Sequence, residues 1–375
     1  MKTKSIALLL VMLLVAFSFT LTGCEPEEVE PEPEPEEPEP EEPEPDEEVY
    51  ELVIHDPSSI LTFKEGLPFF KEEVPKRTDG RVEVEMILGG ALGGFAEQPD
   101  GISEGVFDMG MLAMGYHPGK TPLWQVSEMP GITNSIYAHN MALVEMAEHP
   151  SLKAEIEERW NQKVLFPGSM DTFEMLTADP IESVDDLDGY PIRSIALAAT
   201  VLERLGADVS AIPGPDVYSA MERGVVEGAV FPVDTFVDRD LHTLADNLVL
   251  SGKLGFYFGL VTINLDTWNA LPEDIQEVIK EVSEEAIERN IEIYLEANLA
   301  AKEAYEEAGT NIIRLSEEER ARIQEVNEQI WEEWIAEREG QGYTEAQEIF
   351  DLWVELVEKY EEEDPYADEW WPERF

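Results

Sequence analysis

Cysteine, histidine and basic side chains are the scarce residues of this sequence. One cysteine in 375 residues excludes an internal disulfide, an iron–sulfur cluster and a cysteine zinc site. Lysine and arginine total 25 against 83 aspartates and glutamates, a net charge of −58. A chain so poor in positive charge does not hold nucleic acid by its phosphates or anionic lipid by charge. The five histidines, His55, His117, His139, His149 and His242, form no His-x-x-x-His or Glu-x-x-His pair, so no histidine metal site is expected. No Gly-x-Ser-x-Gly nucleophile elbow occurs. The run from Gly115 to Thr121 is one residue short of a phosphate loop, and Pro118 removes an amide from it. Carboxylate pairs abound, but in so acidic a chain they belong on a solvated face and carry no acid–base argument. The expectation is a protein that is not an enzyme and uses neither cofactor nor metal. The chain is not disordered throughout, since 43% of it is hydrophobic and 9% aromatic. Its length suits one large two-lobed domain or two ordinary ones.

The N-terminus reads as an address. Lys2 and Lys4 precede a nearly unbroken apolar run from Ile6 to Leu21, and Leu21-Thr22-Gly23-Cys24 follows. This is a secretory layout over residues 1–23. The Leu-Thr-Gly-Cys order resembles a bacterial lipobox, in which the cysteine, here Cys24, is lipidated and becomes the mature N-terminus. The competing reading is an uncleaved membrane helix. Residues 24–48 follow as the lipidated cysteine and a tether, Glu25 to Glu48, of 14 Glu, one Asp, eight Pro and one Val. That composition builds no core. Alternating prolines and like charges keep it extended, with a reach on the order of 70 Å at ~3.1 Å per residue. The expected location is extracytoplasmic, anchored to the membrane by lipid. No later stretch approaches the roughly 18 apolar residues of a span.

Beyond the tether, 68 acids still face 23 bases, about −45. A generally acidic surface of this kind fits a high-salt habitat, where screening suppresses self-repulsion. A specific cationic ligand is the weaker alternative.

From residue 49 the pattern is α/β. Val49–His55 and the alternating Arg81–Ile87 read as strands, with a helix between them ending near Arg77 and a turn at Thr78-Asp79-Gly80. Val106–Leu112, Lys163–Phe166, Tyr190–Arg193, Gly228–Phe231 and Phe256–Asn264 are further strand candidates. Pro272 opens a helix of about 37 residues that Gly309 closes. Its apolar stripe runs through Ile275, Val278, Ile279, Val282, Ala286, Ile291, Tyr294, Leu295 and Leu299. Ser316 with Glu319 reads as a capping box for the helix after it.

Five ordered segments together resemble the extracytoplasmic solute-binding proteins of TRAP transporters. They are Thr78–Met86 with Gly89–Gly93, Glu104–Gly110, Ile181–Arg193, Asp216–Gly228 with Pro232, and Ile263–Trp268 with Leu271–Gln276. The set covers about residues 50–310 in order. The resemblance implies a two-lobed periplasmic-binding-protein-like α/β fold with hinge strands and a long C-terminal helix spanning both lobes. Residues 49–170 would form the first lobe, with about 256–296 returning to it. Residues 171–255 would form the second, and helices from 297–375 would pack across both. Ligand would bind in the cleft, and closure would present the protein to the TRAP membrane permease subunits.

Arg193 matches the arginine with which this family holds the substrate carboxylate, a role suited to a planar, two-pronged donor. A structural salt bridge is the alternative for it. Other pocket positions depart from the better-known sialic-acid and C4-dicarboxylate pattern. The usual Gly-Gln-Glu-Asn-Pro reads Gly228-Ala-Val-Phe-Pro232, the aromatic before the following helix falls near Gly214, and the polar residue after Leu-Gly lies close to Phe95. A second arginine usual near 170–175 is replaced by Asp171, Thr172 or Glu174. In the 2-oxo-acid branch a Glu-Trp pair meets substrate and metal; Phe231 could stand for the Trp, but Val230 cannot stand for the Glu. One arginine and a cleft lined by Met114, Tyr116, Met170, Phe231 and Tyr257 suit a monocarboxylate with an apolar body, and a dicarboxylate would lack its second cation. Two other readings stay open. One is a binding lipoprotein for an ABC importer, which genomic neighbours would distinguish. The other is a tethered sensor or scaffold without a transport ligand.

Overall fold

The alternation at Arg81–Ile87 is realised as an edge strand that buries Val82 and leaves Glu83 and Glu85 toward solvent. In the computed structural model, residues 48–58, 64–117 and 119–367 are described; the signal, Cys24 and the tether through residue 47 lie outside them. The strands are β1 (Tyr50–Asp56), β2 (Val82–Leu88), β3 (Met109–Ala113), β4 (Gln162–Thr172), β5 (Glu174–Thr177), β6 (Pro191–Arg193), β7 (Asp208–Ser210), β8 (Gly228–Phe231), β9 (Asn247–Leu250), β10 (Phe256–Asn264) and β11 (Asn311–Arg314). The first half of the chain adds helices α1 (Gly66–Arg77), α2 (Gln98–Ser103), α3 (Ile136–Ala147), α4 (Pro150–Trp160) and α5 (Ala196–Arg204). After them come α6 (Val217–Glu222), α7 (Val233–Asp238), α8 (Leu265–Ala270), α9 (Glu273–Ala308), α10 (Glu317–Gly340) and α11 (Ala346–Glu363).

Two sheets result. The first has the order β2-β1-β3-β10-β4, parallel through β1 and antiparallel around β10. The second has the order β11-β9-β5-β8-β6-β7, again mixed. The chain thus forms two α/β lobes, and it passes between them where β4 runs on through Phe173 into β5 and where β9 returns through residues 251–255 into β10. The two crossings are tied together. Phe173 N donates to Gly255 O at 2.8 Å. The buried Glu174 carboxylate accepts from Ser251 N at 2.6 Å, Ser251 Oγ at 3.2 Å and Gly252 N at 3.2 Å. A carboxylate can satisfy several amides that a tight crossing leaves without strand partners.

The long helix spans both lobes. It has 36 residues, with Pro272 one position outside as its N-cap and Gly309 at φ 72° as its C-cap. At ~1.5 Å per residue it runs about 54 Å. Ile275, Ile279, Val282, Ala286, Ile291 and Leu295 pack on the first sheet with α1, whereas Ala301 and Tyr305 join the core of the second lobe. Leu299, expected in the stripe, is 45% exposed. It sits where the helix changes neighbours, so the buried face shifts around the axis. Ser316 caps α10 by accepting from Glu319 N at 3.2 Å. The reciprocal arm of the box is not made, because the Glu319 carboxylate accepts from Val184 N at 2.7 Å and so docks α10 on the second lobe. Strands β5, β7, β9 and β11 are only three or four residues long; β5 and β9 are buried throughout and β7 and β11 are the sheet edges, so only pairing within the sheet defines them. Among the described residues no helix is long and apolar enough to cross a membrane.

Candidate functional site

Strand ends aim the site. β3 ends in a turn of 3₁₀ helix, Met114–Tyr116, at one side of the gap between lobes. β8 ends at Phe231, and Pro232 then starts α7 at the other side. Between them lies a cavity of about 520 Å³ counting the open space at its mouth. The first lobe lines it with Ser58, Lys64, Phe95, Tyr116, Met170 and Tyr257. The second contributes Gly214, Phe231, Pro232, Thr235, Asp238 and Arg239, and α9 adds Tyr294. Phe95 and Tyr116 stack on each other, centroids 5.1 Å apart and 19° between planes. Phe231 is braced edge-on by Phe236 at 6.0 Å. Five aromatic rings, Phe95, Tyr116, Phe231, Tyr257 and Tyr294, thus contribute to the walls.

Arg193 sits directly behind the Phe231 ring. Parallel pairing of β6 with β8 sets Arg193 beside Ala229, and Ile192 turns into the core, while Arg193 lies behind Phe231 and is not itself among the residues lining the cavity. The guanidinium is fully buried. Its Nε donates to Ile212 O at 2.9 Å and its Nη1 to Val230 O at 2.8 Å, while Nη2 meets no acceptor. Its carbon lies 4.1 Å from the Phe231 centroid, a cation–π contact strengthened by desolvation. Burial pulls its pKa down to about 10, opposed by the Tyr116 and Tyr257 phenols beside it. Arg193 therefore remains charged and forms no salt bridge among the described residues, contrary to the alternative weighed for it.

The expectation of a single cation is corrected by the structure. Arg239 and Lys64 also reach the cavity. The Arg239 guanidinium carbon lies 5.7 Å from the Phe231 centroid, and its Nε is buried without a partner. Lys64 is already committed: it pairs with Asp234 at 2.7 Å and Asp238 at 2.6 Å, joining the two lobes. Burial opposes its charge, but the two aspartates outweigh it and raise the Lys64 pKa.

Of the residues expected at the site, Tyr116, Met170, Gly214, Phe231 and Tyr257 line the cavity. Met114 does not: its side chain is 1% exposed and packed in the core, where Thr121 Oγ1 donates to its sulfur. It opens the 3₁₀ turn after β3, and its side chain is taken up by the core while Tyr116 at the end of that turn reaches the cavity. Asp171 is buried on β4 opposite Tyr257 and accepts from Thr172 N at 2.7 Å. Glu174 is occupied by the lobe crossing described above. Sequence reading passed over Ser58, Lys64, Thr235, Asp238, Arg239 and Tyr294. The pair Asp234 and Asp238, one helical turn apart, was a visible signal, but Lys64 lies some 170 residues earlier and only folding brings it there. Among the described residues no three His, Cys, Asp or Glu side chains gather as a metal site.

Comparison with known proteins bears on this architecture. The model of the DctP family, bacterial extracellular solute-binding protein, family 7, matches residues 55–338. A monocarboxylate 2-oxoacid-binding periplasmic protein of Nostoc sp. is 27% identical over 233 residues, 59% of this chain. The matches to it and to a solute-binding protein of Sulfitobacter sp. span 61% and 66% of those proteins' own lengths. A marine-metagenome TRAP solute-binding protein specific for aromatic acids, solved with metahydroxyphenylacetate, shares the fold at TM-score 0.74 and 23% identity, covering 83% of this chain and 99% of that one. So does a TRAP solute-binding protein of Rhodoferax ferrireducens solved with copurified benzoate, at TM-score 0.75 and 20% identity, covering 84% and 99%.

Proposed function

The chain belongs to the DctP family of bacterial extracellular solute-binding proteins, a family of binding proteins rather than enzymes, and on that premise we propose that it captures an organic acid between its lobes for a TRAP-type secondary transporter. The ligand is a monocarboxylate with an apolar body. One observation carries this reading: a fully buried, charged arginine directly behind the Phe231 wall of the cavity, with an unused donor and no carboxylate partner among the described residues, in a chain of net charge −58. A buried guanidinium without a counter-charge is costly, and a ligand carboxylate supplies what is missing. Phe95, Tyr116, Met170, Phe231 and Tyr257 offer the body apolar surface, worth ~25 cal/mol per Å² buried. Ligand contact with both lobes favours the closed arrangement, which the permease would recognise. Lipidation at Cys24 and the acidic tether would hold the domain at the outer face of the membrane.

The aromatic-acid and benzoate complexes of the structural relatives support an apolar acid. Calorimetry with aromatic, branched-chain and C4 acids tests it. Micromolar or tighter binding of an aromatic or branched monoacid is expected, lost in Arg193→Ala. Tight binding of succinate or malate, or unchanged affinity in Arg193→Ala, overturns it.

A further inference from the structure

We propose that Arg239 is a specificity-determining residue that reads a second, uncharged oxygen on the ligand, a hydroxyl or carbonyl set away from the carboxylate that Arg193 takes. This rests on the reading of the cavity as the ligand site. It narrows the class from apolar monocarboxylates to hydroxy- or oxo-substituted ones.

Arginines are few here and several are already paired. Arg77, Arg81, Arg204, Arg289, Arg322 and Arg338 each pair with a carboxylate. Arg193 and Arg239 pair with none among the described residues, and both face the Phe231 ring, at 4.1 Å and 5.7 Å. Lys64, the third cation, is held by Asp234 and Asp238 and cannot serve. Arg239 follows the last turn of α7, where carbonyls favour a cation. That position explains a positive charge. It does not explain why the side chain lies along the cavity wall with Nε buried and no acceptor.

Gly214 lies against the same group: a Cβ there would stand 3.6 Å from Arg239 Nη2 and 3.8 Å from the Phe231 ring edge, in ordinary contact with both. Arg193 shows what such a group does in this setting, since two of its donors already engage neutral carbonyl oxygens. Arg239, with its donors uncommitted, offers the same chemistry to a ligand oxygen. A site that presents a buried donor discriminates against analogues lacking the acceptor, because the donor is then left dry and unpaired.

The test compares benzoate with 3- and 4-hydroxybenzoate by calorimetry on the wild-type domain, Arg239→Met and Arg239→Lys, with thermal unfolding confirming that each variant is folded. At least one hydroxy acid should bind wild type about 10-fold tighter than benzoate. Arg239→Met should erase that preference to within about 3-fold by weakening the hydroxy acid more than benzoate, and Arg239→Lys, which keeps charge but loses the fork, should fall between. The inference is overturned if benzoate binds tightest, if the preference survives Arg239→Met, or if Arg239→Met weakens benzoate as much as the hydroxy acids, which would place both arginines on one carboxylate. Binding of none of the three acids to wild type would instead strike the monocarboxylate reading itself.

Discussion

The guanidinium of Arg193 lies 4.1 Å from the centre of the Phe231 ring, and both side chains are almost closed off from solvent. The ring shields one face of the cation while the carbonyls of Ile212 and Val230 orient it. Such a cation is fixed before any ligand arrives, so little ordering cost remains at binding. Arg193→Lys keeps a charge but cannot serve two carbonyls and a carboxylate in one plane. Its acid affinity is expected to fall at least ~10-fold with the fold intact, as read by calorimetry alongside thermal unfolding.

Glu174 belongs to the crossing between lobes, not to the ligand wall. Glu174→Gln should weaken charge-assisted bonds to Ser251 and Gly252 and cost about 1.5–3 kcal/mol, visible as a lower urea midpoint. Ligand affinity of the folded fraction should stay within a few-fold. A large loss of affinity at unchanged stability would return Glu174 to the site.

Lys64 holds Asp234, which is only 2% exposed and whose pKa is raised first of all by burial. Lys64→Met strands that carboxylate and should destabilise by about 3–5 kcal/mol. Adding Asp234→Asn should recover much of the loss. A double variant as unstable as Lys64→Met alone would show that the pair is not the coupling element.

Buried titratable groups set the pH profile. Burial raises Glu128 to about 8 and Glu155 to about 7 from 4.5. Each is therefore more protonated folded than unfolded, and each contributes stability that is lost as pH rises through its folded value. Burial lowers His117 to about 4 and His139 to about 3 from 6.5. These contribute stability that is present above 6.5 and lost as pH falls toward their folded values. The two sets oppose each other between pH 4.5 and 6.5. Above 6.5 only the glutamates titrate, so stability should decline toward pH 8, by up to ~1.4 kcal/mol per pH unit for one group. Chemical denaturation across this range should show the decline, flattened in Glu128→Gln. A wild-type curve that rises from pH 6.5 to 8 would contradict the assignment.

Salt should favour capture. About 45 excess negative charges clothe the chain beyond the tether, and a field of that sign repels an anionic ligand at low ionic strength. Raising salt from 0.01 M to 1 M shortens the screening length from about 30 Å to about 3 Å. The association rate in stopped flow should rise over that range. A fall would mean that the two uncommitted arginines dominate the field at the cavity mouth.

Much of this protein follows from local sequence chemistry. Apolar periodicity and the Pro272 and Gly309 caps define α9, alternation defines β2, and the strand candidates that lead to Arg193 and Phe231 lie where the sheets need them. Composition alone excludes an internal disulfide and a surface that holds nucleic acid by its phosphates. These properties depend on neighbours along the chain, which a sequence displays directly. Tertiary structure decided the rest. It turned Met114 inward, committed Glu174 to the crossing, let α9 change its buried face at Leu299, and carried Arg239 and Lys64 to the cavity from positions with no local signature. Whether a cation is free or paired depends on which carboxylates the fold brings within a few ångströms. In a chain with 83 of them, packing decided that Arg193 and Arg239 meet none among the described residues.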